Sequence, residues 1–412
     1  MKVIHYIRNA VSQLFRVYCR EFTLVIHDPG LLLFIVFLPF AYPVIYSLIY
    51  NPEIVRDVKM VVVDHDRTPL SRELTRRLDA TQGAWVTGYA ADLGEAKRAM
   101  HSHDCYAILE IPEGFQRKVD GGETGNAVMY CEMSLLLRYK AFLMAATDVM
   151  LDMGGELQKR KIDDALPMGS SYISDGDLLP IHNVAMGNIE SGFDSFIMPA
   201  IVVLILHQCI VLVLGMSGGA KREKAYLIGY DPCNAVRSVG LTMAGQTLCY
   251  MTLLFLPMIF LLHYVPLIFA FPMESDIVSL FAFMLPFFIA AAGVGFCFQA
   301  FVWERESVFV LWVVTSVAFL FLSGITWPLY GMSPLWKGLA YCLPSTWGVE
   351  GFVRMHTNGA TIAQVSDAYS MLWILAAVYI VLGYCVQRWI VRPQTLAALR
   401  GANVVRAAIE GR

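Results

Sequence analysis

The stretch from Ser316 to Met355, SVAFLFLSGITWPLYGMSPLWKGLAYCLPSTWGVEGFVRM, decides how this chain is read. An apolar run reaches Ser323-Gly324, breaks at Pro328 and turns through Gly331-Met332-Ser333-Pro334. It then continues through Trp336, Tyr341, Pro344 and Trp347 to a lone Arg354. Apolar residues mixed with helix breakers and aromatics suit no ordinary soluble core. Trp and Tyr collect where a bilayer meets water, and broken backbone at that depth needs protein or a water-filled cavity around it. The stretch is therefore expected to enter the membrane without crossing it.

The composition agrees. Of 412 residues, 57% are hydrophobic and 16% are charged, with a mean hydropathy of +0.55. A soluble domain carries about 25% charged residues, so the deficit points to a polytopic membrane protein. The basic residues come in small groups beside apolar runs, which excludes a nucleic-acid surface. The cysteines form no CxxC pair and no zinc-like spacing.

Residues 1–30 read as an amphipathic interfacial helix, not a signal peptide. Ile4, Ile7, Val11, Leu14, Phe15, Tyr18, Phe22 and Val25 recur at helical spacing, with Lys2, Arg8, Arg16 and Arg20 between them. Asp28-Pro29-Gly30 ends it. Residues 31–50 are a first uncharged span, kinked by Pro39 and Pro43, and Asn51-Pro52 marks its exit.

Most of the charge lies in residues 51–192. Strands are expected at Val58–Val63, Trp85–Tyr89, Cys105–Ile111 and Asn126–Met133. Helices are expected after Thr68-Pro69, over Asp92–Met100, after Pro112 and from Ser134. Alternating strands and helices indicate an inserted α/β domain with its own core, followed by a polar return from Leu166 to Gly192. Five further spans are expected near Phe196–Leu214, Val239–Phe269, Ile277–Phe301, Val308–Trp327 and Ser370–Ile390. Residues 193–392 thus hold spans two to six and a re-entrant segment, 328–354, and residues 393–412 form a tail.

Lysine and arginine orient the spans. Lys221, Arg222, Lys224 and Arg237 follow the second span, and Arg388, Arg392, Arg400, Arg406 and Arg412 follow the sixth. None lies between His263 and Ile277, and only Lys337 and Arg354 lie within 328–369. Both termini are expected in the cytoplasm of a bacterial inner membrane, and span parity puts the α/β domain outside.

Chemistry is sparse. No G-x-x-x-x-G-K-[ST] occurs, so a nucleotide would be bound by another chain. No expected span contains Asp or Glu, which argues against proton- or sodium-coupled carriage. His207 and Gln208 lie mid-span: an interhelical hydrogen bond is the plain reading of His207, and lining of a substrate path the functional one. Lys221-Arg222-Glu223-Lys224 and Glu304-Arg305-Glu306 form two inner loops facing one cytoplasmic partner. Asp64, His65, Asp66, His101, His103 and Asp104 fall in two separate turns and read as surface loops, not a metal site. Cys105 and Cys131 are a candidate disulfide pair.

The chain resembles ABC exporter permeases of the type-2 class that carry a large extracytoplasmic domain after the first span. The likeness rests on CREFTLVIHDPGLLLFIVFLP, on VVVDHDRTPLSRELTRRL with AILEIPEGFQRKVDGGE, on KREKAYLIGYDP, and most specifically on FLSGITWPLYGMSPLWKGLAYCLPSTWGVEGFVR. The resemblance implies a dimer of six-span subunits served by cytoplasmic ATPase subunits that bind the ATP and Mg, with no cofactor in this chain. It makes Lys221–Lys224 a coupling segment with Arg222 and Glu223 as its charged contacts, although Ala225-Tyr226 stands where the family often has Gly-Thr. Pro232 falls where the family tends to keep a proline.

The expected function is the non-enzymatic membrane subunit of an ATP-driven exporter. Its expected cargo is amphipathic or lipid-like, with Ser323, Gly324, Pro328 and Trp336 as gate residues. Membrane lipids and a periplasmic adaptor protein are further candidate partners. The alternative is a membrane-anchored receptor or scaffold whose outer domain binds an envelope partner. An intramembrane hydrolase finds no HExxH, no G-x-S-x-G and no paired acids within the spans.

Overall fold

A computed structural model describes residues 2–50, 54–165, 187–188, 192–228 and 238–410. The expected exit at Asn51-Pro52, most of the return segment 166–192, Pro232, Arg237 and Arg412 fall outside those residues. The chain divides into two compact units, one of Met1–Asn51 with Ala185–Arg412, the other of Pro52–Val184.

Helix α1 spans Lys2–Ile26. Val17, Glu21 and Val25, one turn apart, are buried, whereas Ile7, Val11 and Phe15 are exposed on another stripe. Asp28 caps the N-terminus of α2, Pro29–Tyr50, by accepting from the amides of Gly30 at 3.0 Å and Leu31 at 3.2 Å. A π turn at Leu33–Phe37 interrupts α2, and Pro43 lies inside it.

The second unit contains β1 Val58–Asp64, α3 Pro69–Asp79, β2 Ala84–Tyr89, α4 Leu93–His101, β3 Ala107–Ile111, α5 Phe115–Asp120, β4 Val128–Cys131 and α6 Leu136–Ala165. Its sheet order is β2-β1-β3-β4, parallel except for the antiparallel β3–β4 pair. Central β1 is buried on both faces, which explains its run of valines. Met60 and Val62 join Leu78, Leu109 and Phe142 on the face covered by α3 and α6. Val61 and Val63 join Ala96, Cys105 and Ile108 on the face covered by α4.

Thr68 caps α3 in a reciprocal box with Ser71. Asp64 and Asp66, read from the sequence as surface-loop residues, fasten backbone. Asp64 accepts from the amides of Asp66 and Arg67 and from the Ser71 hydroxyl. Asp66 holds the start of α5 through the amides of Gly114, Phe115 and Gln116, at 2.8, 3.1 and 3.0 Å. Burial works against that carboxylate, yet the Thr68 hydroxyl and the three amides keep its pKa below the usual range.

The Cys105–Cys131 disulfide expectation is corrected here: both thiols are free. Cys105 packs into the cluster on the α4 face and Cys131 against the cluster on the opposite face. Strand alternation separates them, despite their closeness to one strand pair.

The first unit resumes with α7 Phe193–Ile228, then α8 Val239–Phe269, α9 Ile277–Phe298, α10 Ser307–Leu322, α11 Pro334–Tyr341, α12 Pro344–Asn358, α13 Ser366–Val386 and, after a π turn at Gln387–Val391, α14 Arg392–Glu410. Among the described residues, five helices are long and apolar enough to cross a membrane, α2, α7, α8, α9 and the α13–α14 run. The fifth expected span, Val308–Trp327, is shorter than anticipated. Helix α10 has 16 residues, about 24 Å at ~1.5 Å per residue against a core of ~30 Å. It stops because Gly324 takes a left-handed φ of 89°. The long third span is one helix, with a π turn at Phe260–Tyr264 after Pro257 and a left-handed Ala270 at its end.

Helix α7 is the axis of this unit, 94% of its apolar window being buried. Helices α9 and α13 meet through small residues: a Cβ on Gly293 would come within 2.7 Å of Tyr379, and one on Gly383 within 3.0 Å of Phe296.

With both thiols free, a denaturing titration of unreduced protein should count Cys105 and Cys131 as reactive. Burial pushes the Cys131 thiol up to about 11 and, with the Asp104 charge beside it, raises Cys105 as well. Alkylation of the native protein at neutral pH should therefore leave both at least tenfold behind an exposed thiol near its usual pKa of ~8.5. Peptide mapping without reductant that recovered a Cys105–Cys131 crosslink would contradict this.

Candidate functional site

Three glycines on one face of α7 start the site. A Cβ on Gly215 would meet Val308 at 2.3 Å, one on Gly218 would meet Gln299 at 2.7 Å, and one on Gly219 would meet the Glu304 carbonyl oxygen at 2.6 Å. The turn from Gln299 to Glu306 therefore lies directly on α7. The sequence ended the second span near Leu214 and put an inner loop at Lys221–Lys224; instead α7 continues unbroken to Ile228. The glycines that look like breakers are there for close approach.

Arg222 then points inward. It is buried, and it donates to the carbonyl oxygens of Gln299 and Val302 at 2.5 Å each. Gln299 is the C-cap of α9, so the guanidinium sits where that helix leaves its carbonyls unpaired and its dipole is negative. Gln299 in turn donates to the Leu214 carbonyl at 2.6 Å and accepts from the Gln387 amide at 2.7 Å.

Lys221 also faces the protein. Its ammonium donates to Glu21 at 2.6 Å. The Glu21 carboxylate has no exposed surface, and it also accepts from Ser217 and Tyr250 at 3.3 Å each. Burial works against this charge, but Lys221 more than offsets it and holds the Glu21 carboxyl below its usual range. The first helix is thereby bolted to α7 and α8. A second tie runs from Arg305 to Asp28, the cap of α2.

The two charged segments thus converge, but in divided roles. Lys221 and Arg222, expected as partner contacts, are internal fasteners. Glu223, Lys224 and Arg305 line one cleft with Asp28 and Leu227. Glu304 and Glu306 are exposed beside it, as are the large side chains of Tyr226, Leu227 and Trp303.

His207 and Gln208 separate as well. His207 is buried between the rings of Phe287 and Phe319, with centroids 5.8 and 5.2 Å away, and neither ring nitrogen has a hydrogen-bond partner. That corrects the expected interhelical hydrogen bond and takes the residue off any open path. Gln208 faces the other way, into an apolar groove of about 270 Å³ between α2, α7 and α10. Tyr42, Ile205, Trp312, Ser316 and Leu320 line the groove with it. The Gln208 amide and the Trp312 indole N–H are unpartnered.

The broken stretch that decided the sequence reading folds as two short helices after α10. Its open backbone finds partners within the protein: the Thr346 hydroxyl donates to the Leu322 carbonyl at 3.1 Å, the Trp347 indole to the Tyr341 carbonyl at 2.9 Å, and the Tyr379 hydroxyl to the Cys342 carbonyl at 2.8 Å. Helix α12 is buried, with Gly348 and Gly351 against Phe287 and Phe283. Arg354 is not alone, since it pairs with Asp367 at 2.9 Å. The four expected gate residues lie in two settings: Ser323 is buried and Gly324 half-buried at the end of α10, while Pro328 and Trp336 are exposed.

A family model described as ABC-2 family transporter protein matches residues 29–385. The chain belongs to that family. It is therefore an ABC permease of the membrane, which accords with its apolar helices. No curated protein and no solved structure matches it.

Sequence reasoning missed Glu21. The signal was an acid on the stripe Val17-Glu21-Val25 of a helix otherwise basic on its polar side. Removing its partner should be costly. Lys221→Met would strand a buried carboxylate and lower stability by about 3–5 kcal/mol, read as a fall in melting temperature of the detergent-purified permease. Adding Glu21→Met should restore at least half of that loss; additive losses would show that the two residues are not coupled.

Proposed function

We propose that this permease is the membrane subunit of an ATP-driven exporter, working as a dimer with separate ATPase subunits on the cytoplasmic side. The observation that carries the reading is the convergence of Glu223, Lys224, Arg305 and Asp28 on one cleft, with Tyr226, Leu227 and Trp303 exposed beside it. Aromatic anchors rimmed by charges are what a protein partner uses, and this end of the unit carries the Lys and Arg that mark the cytoplasmic side. The ATPase would bind ATP and Mg, and its closure would push on the tip of α7.

In this reading both termini are cytoplasmic and the membrane is a bacterial inner membrane. The α/β unit lies outside, where it receives or hands on cargo, with or without an adaptor. The cap of α11 covers the outer end of the path. The groove beside Gln208 is apolar with one free amide and one indole N–H. That suits an amphipathic or lipid-like cargo better than a polar ion, and a second permease copy facing α2 and α10 would enclose it.

Glu223→Arg tests the assignment. Copurification with its ATPase subunit should fall about tenfold or more, the scale of one close interfacial charge pair, and export should fall with it while the permease remains folded. Undiminished copurification and export would move the coupling surface elsewhere.

A further inference from the structure

A second polar pocket lies on the far side of the Glu21–Lys221 pair. Six of its lining residues are Arg20 from α1, Lys221 from α7, Gln246 from α8, Gln299 at the end of α9, Gln387 in the π turn and Arg392 at the start of α14. Thr242 and Thr395 also line it, their hydroxyls donating to the Ser238 and Val391 carbonyls, and no carboxylate does. Glu21, the nearby acid, is fully buried behind Lys221. Lys221 and Arg20 share that one acid, at 2.6 and 3.8 Å, so three cations stand against a single carboxylate and the lining keeps an excess of positive charge suited to an anion. At about 90 Å³, the cavity is smaller than the ~150 Å³ that accommodates benzene, so it fits a phosphate-sized group and not a transported molecule.

Its place in the fold selects the source of that group. Arg20 comes from the helix whose exposed stripe is Ile7, Val11 and Phe15, the pattern of a helix lying at the headgroup boundary. Val239, Met243 and Val391 complete the wall with apolar surface. We propose that this pocket binds the phosphate of an anionic phospholipid, whose headgroup then joins α1, α8 and the α13–α14 junction. The site is separate from the cargo groove and does not depend on what is exported.

The test uses the purified full-length permease. Native mass spectrometry after adding phosphatidylglycerol or phosphatidylcholine should show retention of the former alone. Nanodiscs of equal parts of the two lipids should raise the melting temperature relative to phosphatidylcholine alone. Arg20→Gln and Arg392→Gln should each weaken phosphatidylglycerol retention roughly five-fold, whereas Arg392→Lys and the exposed control Arg388→Gln should not. Retention by Arg20→Gln/Arg392→Gln equal to wild type would overturn the proposal. So would inorganic phosphate matching the lipid's stabilisation at equal concentration, which would assign the pocket to a soluble anion. If Arg20→Gln fails to fold, the Arg392→Gln result and the wild-type lipid comparison still decide.

Discussion

A carboxylate with no exposed surface is the constraint around which one end of the helical unit of this permease is arranged. Glu21 sits on the amphipathic first helix, and its charge is shared with Lys221 on the central helix and supported by Ser217 and Tyr250. A buried ion pair contributes little net stability compared with a well-packed apolar pair. Its value is in specifying position: α1 can occupy one register against α7 and α8, because any slip would leave a charge in a dry interface. The neighbouring ties, Arg222 onto the end of α9 and Arg305 onto the cap of α2, extend the same logic to the turn between α9 and α10.

The consequence is mechanical. A force applied at the tip of α7 reaches α1, α2 and α9 through ionic and charge-assisted contacts, which are directional, whereas packing alone would let the helices slide. Farther along α7 the contacts change character. Gln208 and Trp312 carry unpartnered polar atoms into an apolar groove, and His207 is held only by ring packing. One end of the helix is therefore fastened and the middle is adaptable. In the exporter proposed above, this division would let the helix transmit a push and still repack around cargo.

Much of this was legible in the sequence, and the failures are instructive. Pro334 and Pro344 each start a helix, and Thr68 and Asp92 cap theirs, because these residues act within one turn of the chain. The valines of β1 announced a strand buried on both faces. Gly215, Gly218 and Gly219 misled, because a glycine costs helix stability wherever it stands, and only the partner surface reveals that it is there to let another backbone approach. Lys221 and Arg222 were read as partner contacts because spacing identifies a charged turn but not the direction in which each side chain leaves the helix. That direction is set by where Glu21 and the end of α9 lie, both distant in sequence.

The broken stretch from Ser323 to Asn358 shows how such a segment can be stable at all. Each interruption exposes carbonyls that hydrocarbon cannot satisfy. Here Thr346, Trp347 and Tyr379 reach back to the carbonyls of Leu322, Tyr341 and Cys342, so the donors come from the stretch itself and from the helix beside it. Glycines Gly348 and Gly351 let α12 sink against Phe287 and Phe283, while α11 keeps Leu335 and Trp336 exposed. The two short helices are thus unequal. Helix α12 is part of the core and cannot move without unpacking α9, whereas α11 buries little of its surface and can shift without disturbing that core.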